Sequence, residues 1–163
     1  LIACKPLDLS VHAAPLNQLV ATAASDPKTF NCALIQEFPN VAGFICEGLT
    51  FEDGQGEIQP GLAEAWKLST DQKHLTLTLR AGLKWSDGSP LTATDVLFTY
   101  RDVFFNPKIP TAYRDIFKIG SQGLLPELRQ LDDRQIEFIL PEPFAPFLRN
   151  LAAPILPAHA LRD

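Results

Sequence analysis

Leu75, Leu77 and Leu79 alternate with Thr76, Thr78 and Arg80. That period of two predicts a half-buried antiparallel strand with its leucines inward. Trp66 to Ser69 is expected to pair with His74 to Arg80 across the turn Thr70-Asp71-Gln72-Lys73. A second hairpin is expected from Leu124–Gln130 and Gln135–Leu140, turning at Leu131-Asp132-Asp133-Arg134. Shorter strands are read at Gln18–Ala23, at Leu49–Glu52 and from Ile58 onward. Ser25-Asp26-Pro27 closes the first of these, and Asp53-Gly54-Gln55-Gly56 is a hairpin-type turn after the second.

Helical spacing appears after Thr92. Ala93, Val96, Leu97, Tyr100, Val103 and Phe104 share one face, Thr92 is a good N-cap, and Asp95 lies three residues later near the positive helix end. Asn106-Pro107 stops this helix. Shorter helices are expected at Asn40–Cys46, Thr111–Phe117 and Pro143–Leu151, with a helical turn at Pro60–Glu64. The strand pairs are hairpins rather than crossover units, so the fold class is α+β with a mostly antiparallel sheet.

Composition narrows the function. The chain has 163 residues, 46% hydrophobic and 20% charged, enough for a real core. Net charge is −5 and no Lys/Arg cluster occurs, which argues against nucleic acid as a partner. No apolar run approaches the ~20 residues needed to span a bilayer. His12, His74 and His159 are far apart and none has a second ligand at metal spacing. Glu52/Asp53 and Asp132/Asp133 are adjacent pairs in turns, where Asp caps backbone rather than forming a catalytic dyad. No nucleophile elbow, Cys/His constellation or phosphate-cradling loop is present. Catalytic residues, metal ligands and cofactors are therefore all expected to be absent.

The stretch Glu47 to Tyr100 carries a denser signal. Glu47-Gly48-Leu49 comes first, then Pro60-Gly61-Leu62-Ala63-Glu64-Ala65-Trp66, then Gly82-Leu83-Lys84-Trp85-Ser86-Asp87-Gly88, then Leu91-Thr92-Ala93 opening the helix. This order resembles the extracytoplasmic solute-binding proteins of ABC importers, in the large family that captures peptides and nickel. The resemblance extends with less density from about Asn17 to Asp163. It implies the N-terminal part of a longer, two-lobed binding protein of the type II kind. Residues 48–149 would be a small inserted domain, and 16–47 with 150–163 would be parts of the first lobe's main domain. It also implies a peptide or other small solute as ligand, a membrane permease as partner, and no enzymatic step. Glu47 would serve a structural bond within the first lobe.

Leu1-Ile2-Ala3-Cys4 resembles a lipobox, which would make Cys4 a lipidation site and residues 1–15 a lipobox remnant and tether. That implies a periplasmic or extracytoplasmic protein held to the membrane by a lipid. Such an address permits a Cys32–Cys46 disulfide, whose loop of about 15 residues would contribute ~3 kcal/mol. Cys46 lies in the apolar run Val41–Cys46, however, which favours a buried unpaired thiol. In the resembling family the loop at Thr29-Phe30-Asn31-Cys32-Ala33 lines the cleft, so Asn31, Cys32 and Ala33 are the expected ligand contacts. Trp66 and Trp85 are expected to pack in the core rather than on ligand. Two other readings stand beside the peptide one: the same fold holding a nickel chelate or oligosaccharide, or a secreted hydrolase or interaction domain.

Overall fold

The computed structural model describes Cys32, Ala33 and residues 45–162. The expected strand at Gln18–Ala23, most of the expected helix at Asn40–Cys46, and Cys4, His12 and Asn31 lie outside the described residues.

Two antiparallel sheets form among the described residues. β1 (Thr50–Glu52) pairs with β2 (Ile58–Pro60). The larger sheet has β3 (Ala63–Leu68), β4 (His74–Leu79), β5 (Glu127–Gln130) and β6 (Gln135–Ile139) in the order β3-β4-β6-β5. The alternation read in β4 is real: Leu75, Leu77 and Leu79 are buried, and Leu75 and Leu77 pair with Phe138 and Ile136 of β6. In the β3–β4 turn Asp71 accepts the Lys73 N–H at 3.1 Å while Gln72 takes φ of 57°. In the β5–β6 turn Asp132 accepts the N–H groups of Arg134 and Gln135 at 2.7 and 2.8 Å. Both short acidic side chains satisfy backbone donors that the reversal leaves exposed.

The expected helical turn at Pro60–Glu64 is not formed, and β3 instead begins at Ala63. Gly61, Leu62 and Ala63 donate their N–H groups to the carbonyls of Leu49, Gly48 and Leu49 at 3.0–3.1 Å. Pairing with a segment distant in sequence thus overrides the local helix preference of Leu-Ala-Glu-Ala.

α1 (Ala93–Leu97) opens on Thr92 with a full capping box, as read from the sequence. It then widens into π-helical turns over Phe98–Phe104, where the Phe105 N–H donates to the Tyr100 carbonyl at 2.8 Å. Tyr100 is fully buried and meets Phe104, Phe105, Phe117 and Phe138 edge-on, at centroid distances of 5.1–5.9 Å. These rings join α1 to the sheet in one core. Three short helices follow: α2 (Tyr113–Ile116), α3 (Phe147–Asn150) and α4 (Ala158–Leu161). No helix among the described residues is long and apolar enough to cross a membrane.

Candidate functional site

The chain enters and leaves this body side by side. Outgoing Glu47–Thr50 runs antiparallel to returning Leu151–Ile155. Leu49 N–H donates to the Leu151 carbonyl at 2.9 Å, and Ile155 N–H donates to the Glu47 carbonyl at 3.0 Å. Gly48 makes this neck possible, because a Cβ there would lie 2.5 Å from the Ala152 carbonyl oxygen. So Glu47 contributes its backbone here, while its side chain stays exposed.

Two buried side chains fasten the returning strand. Asp95 of α1 accepts the Ala158 N–H at 2.9 Å, and the Thr99 hydroxyl accepts the Leu156 N–H at 2.9 Å. Thr99 in turn donates to the Asp95 carbonyl at 2.7 Å.

Beside the neck lies an open groove of about 620 Å³. Its floor is apolar, with Leu62, Trp85, Leu91 and Ile155, and Glu47 and Lys84 supply charge at its edge. Cys32 and Cys46 also line it, joined by a disulfide across 14 residues. The unpaired-thiol reading is thereby overturned: an apolar run in the sequence does not distinguish a half-cystine from a thiol, and Cys46 is only half-buried beside an exposed Ile45. Cys32 rims the groove, whereas Ala33 is 3% exposed and its carbonyl accepts the Thr111 hydroxyl at 2.8 Å. Trp66 packs against the core as expected; Trp85 packs there too but also faces the groove.

Chemically the groove can hold a guest by contact and by a few placed charges. His74 lies 3.1 Å from Glu137 and His159 lies 2.8 Å from Asp87, each with a single carboxylate. Among the described residues no group of His, Cys, Asp and Glu could hold a metal ion. Glu52 pairs with Arg149 at 3.1 Å, and Asp53 and Asp132 cap turns. The ionisations that depart from ordinary values have structural causes. The Glu57 backbone N–H, and then the Gln59 side chain, hold Asp53 below its usual range. The Ser89 backbone N–H, and then His159, do the same for Asp87. Burial pushes the Tyr113 phenol up to about 12.

Of the residues expected to touch ligand, then, the structure places Cys32 at the groove and Ala33 in the core, off the groove lining. Sequence reasoning missed Lys84, Trp85 and Leu156–Pro157 as groove residues. No spacing could have revealed them, since they come together only through the neck.

Known proteins share this architecture. Residues 57–161 match the family model for bacterial extracellular solute-binding proteins, family 5 Middle. The dipeptide-binding protein of Escherichia coli (strain K12) is 37% identical over 113 residues, 63% of this chain and 21% of that protein. NikZ from Campylobacter jejuni, solved in complex with Ni(L-His), superposes with a TM-score of 0.73 at 28% identity, covering 85% of this chain and 27% of the other. Haemophilus influenzae OppA in complex with RPPGFSPFR gives 0.71 at 25% identity, covering 85% of this chain and 30% of the other. The chain thus spans under a third of the length of these relatives.

Proposed function

Because the chain belongs to the bacterial extracellular solute-binding proteins of family 5, we propose that it is part of the solute-binding component of an ABC importer, with peptides as its solute. The family match over residues 57–161 carries this reading. The family consists of binding proteins, and the dipeptide-binding relative supports the choice of peptides. Two lobes would close by a hinge on the solute and then dock on the membrane permease, with no covalent step.

Within that frame residues 48–149 are an inserted domain. Residues 16–47 and 150–163 belong to the main domain of the first lobe. The paired strands at Glu47–Thr50 and Leu151–Ile155 support this division, because the chain crosses there twice and side by side. Asn31, Cys32 and Ala33 are the solute contacts, a reading supported by the place of Cys32 on the groove. Main-chain pairing there would give affinity without fixing the peptide's side chains. Cys4 carries the lipid that holds the protein outside the cytoplasmic membrane.

Native mass spectrometry of the whole protein, purified without added ligand, tests the solute. Co-purified peptides of mixed sequence are the expected result; a single non-peptide mass would overturn peptide capture. The similarity to NikZ favours a second reading, in which the guest is a nickel chelate. A chelate brings its own donors, so the absence of a metal cluster among the described residues does not weigh against it. A nickel-containing adduct in the same spectrum would select it.

A further inference from the structure

The Cys32–Ala33 turn is fastened to two separate parts of the fold. Through its disulfide Cys32 is joined to Cys46, immediately before the outgoing strand of the neck. Through the Ala33 carbonyl it is joined to the Thr111 hydroxyl at 2.8 Å, a contact across 78 residues. Thr111 is itself held, since its oxygen accepts the Tyr113 N–H at 3.3 Å where α2 begins. Ala33 is packed into the hydrophobic core and Cys32 lies against that core. The main sheet needs neither fastening, because its strands are bonded to one another and its core is closed by the rings around Tyr100. What the two fastenings do fix is the height and direction of the turn at the rim of the groove.

A turn that must offer its backbone to a guest loses freedom on binding, and ordering it beforehand removes that cost from the binding step. A disulfide at Cys32 and a hydrogen bond at Ala33, to two separate parts of the fold, are suited to this. We infer that Cys32, Cys46 and Thr111 are positioning residues for solute binding: they hold the Cys32–Ala33 turn ready at the groove, and affinity depends on that readiness. The inference rests on the reading that this turn faces the solute. It assigns no chemistry to the thiols and no direct contact to Thr111.

The test uses the whole protein and a series of alanine peptides from dialanine to penta-alanine, titrated by calorimetry well below the melting temperature. Four forms are compared: wild type, the double variant Cys32→Ser with Cys46→Ser, Thr111→Val, and Thr111→Ser. Loss of either fastening is expected to weaken binding by about tenfold. Thr111→Ser keeps the hydroxyl and is expected to bind as wild type does. Hydrogen exchange at the Ala33 amide is expected to quicken in the double variant and in Thr111→Val. Should the double variant fail to fold, Thr111→Val carries the test alone. Melting temperatures that fall while affinity stays constant would overturn the inference and leave solute binding intact. Two free thiols at Cys32 and Cys46 in the unreduced wild type would overturn it as well. A wild type that binds none of the peptides would overturn the peptide reading itself, and this inference with it.

Discussion

The Asp95 carboxylate, 4% exposed, accepts a backbone N–H at each oxygen: Thr92 at 2.9 Å and Ala158 at 2.9 Å. One bond caps α1 and the other fastens the strand that returns through the neck. Asp95→Ala strands both donors in a buried place, at a cost of about 2–4 kcal/mol in all. Chemical denaturation of the variant should show that loss, and a change under about 0.5 kcal/mol, ordinary for a surface site, would contradict it. Half of this was legible. Thr92-x-x-Asp95 announces a cap within four residues, whereas Ala158 lies 63 residues away and no local pattern points to it. Asp53 makes a pH prediction of known sign. Hydrogen bonds from the Glu57 backbone and the Gln59 side chain lower its folded pKa below the ordinary 3.8. Its contribution is therefore complete above the unfolded value and is lost as pH falls through the lower folded value. The gap in melting temperature between wild type and Asp53→Ala should be widest near neutrality and should narrow in acid. A gap that widens in acid would refute the sign.

Among the elements, β4 and β6 were legible because a sheet with one buried face writes its period directly into the chain: Leu75, Leu77, Leu79, Ile136 and Phe138 are all buried. Pro60–Glu64 was misread because the carbonyls of Gly48 and Leu49, which claim its N–H groups, lie a dozen residues away. The helix after Thr92 was found, but its widening into π-helical turns was not. Phe98, Thr99, Tyr100 and Phe104 are buried on more than one face, so the amphipathic stripe that sets a helical period breaks down there. The neck makes the sharpest prediction at this scale. Gly48 faces the Ala152 backbone and Gly61 faces the Gly48 carbonyl oxygen, which lies 2.7 Å from where a Cβ at Gly61 would stand. Neither backbone can swing aside as a side-chain tip could. Gly48→Ala should cost several kcal/mol, about 1–3 or more for an overpacked site, and should raise hydrogen exchange at Leu49 and Ile155. Unchanged protection at those amides would show that the neck yields.

At the level of the whole molecule, the groove is built from residues as far apart as Cys32 and Leu161, and chain order gives no hint of it. The candidate site was legible only through the resemblance carried by Glu47–Leu49 and the Trp66 and Trp85 motifs; of the residues it pointed to, Cys32 lines the groove and Ala33 is buried in the core. Among the described residues β3 and β5 are the outer strands of the sheet, and Leu68 and Leu131 are half-exposed, so pairing groups and apolar surface are left uncovered there. On its own the chain should therefore self-associate, which sedimentation at rising concentration would reveal as a growing mean mass. The proposed role of the whole protein is to hold a small guest without altering it. Calorimetric titration of the whole protein with the alanine peptide series, followed by mass analysis of the recovered peptide, tests it most directly. Saturable one-to-one binding with the peptide returned intact is the predicted result; shortened or modified peptide, or no saturable heat across the series, would contradict it.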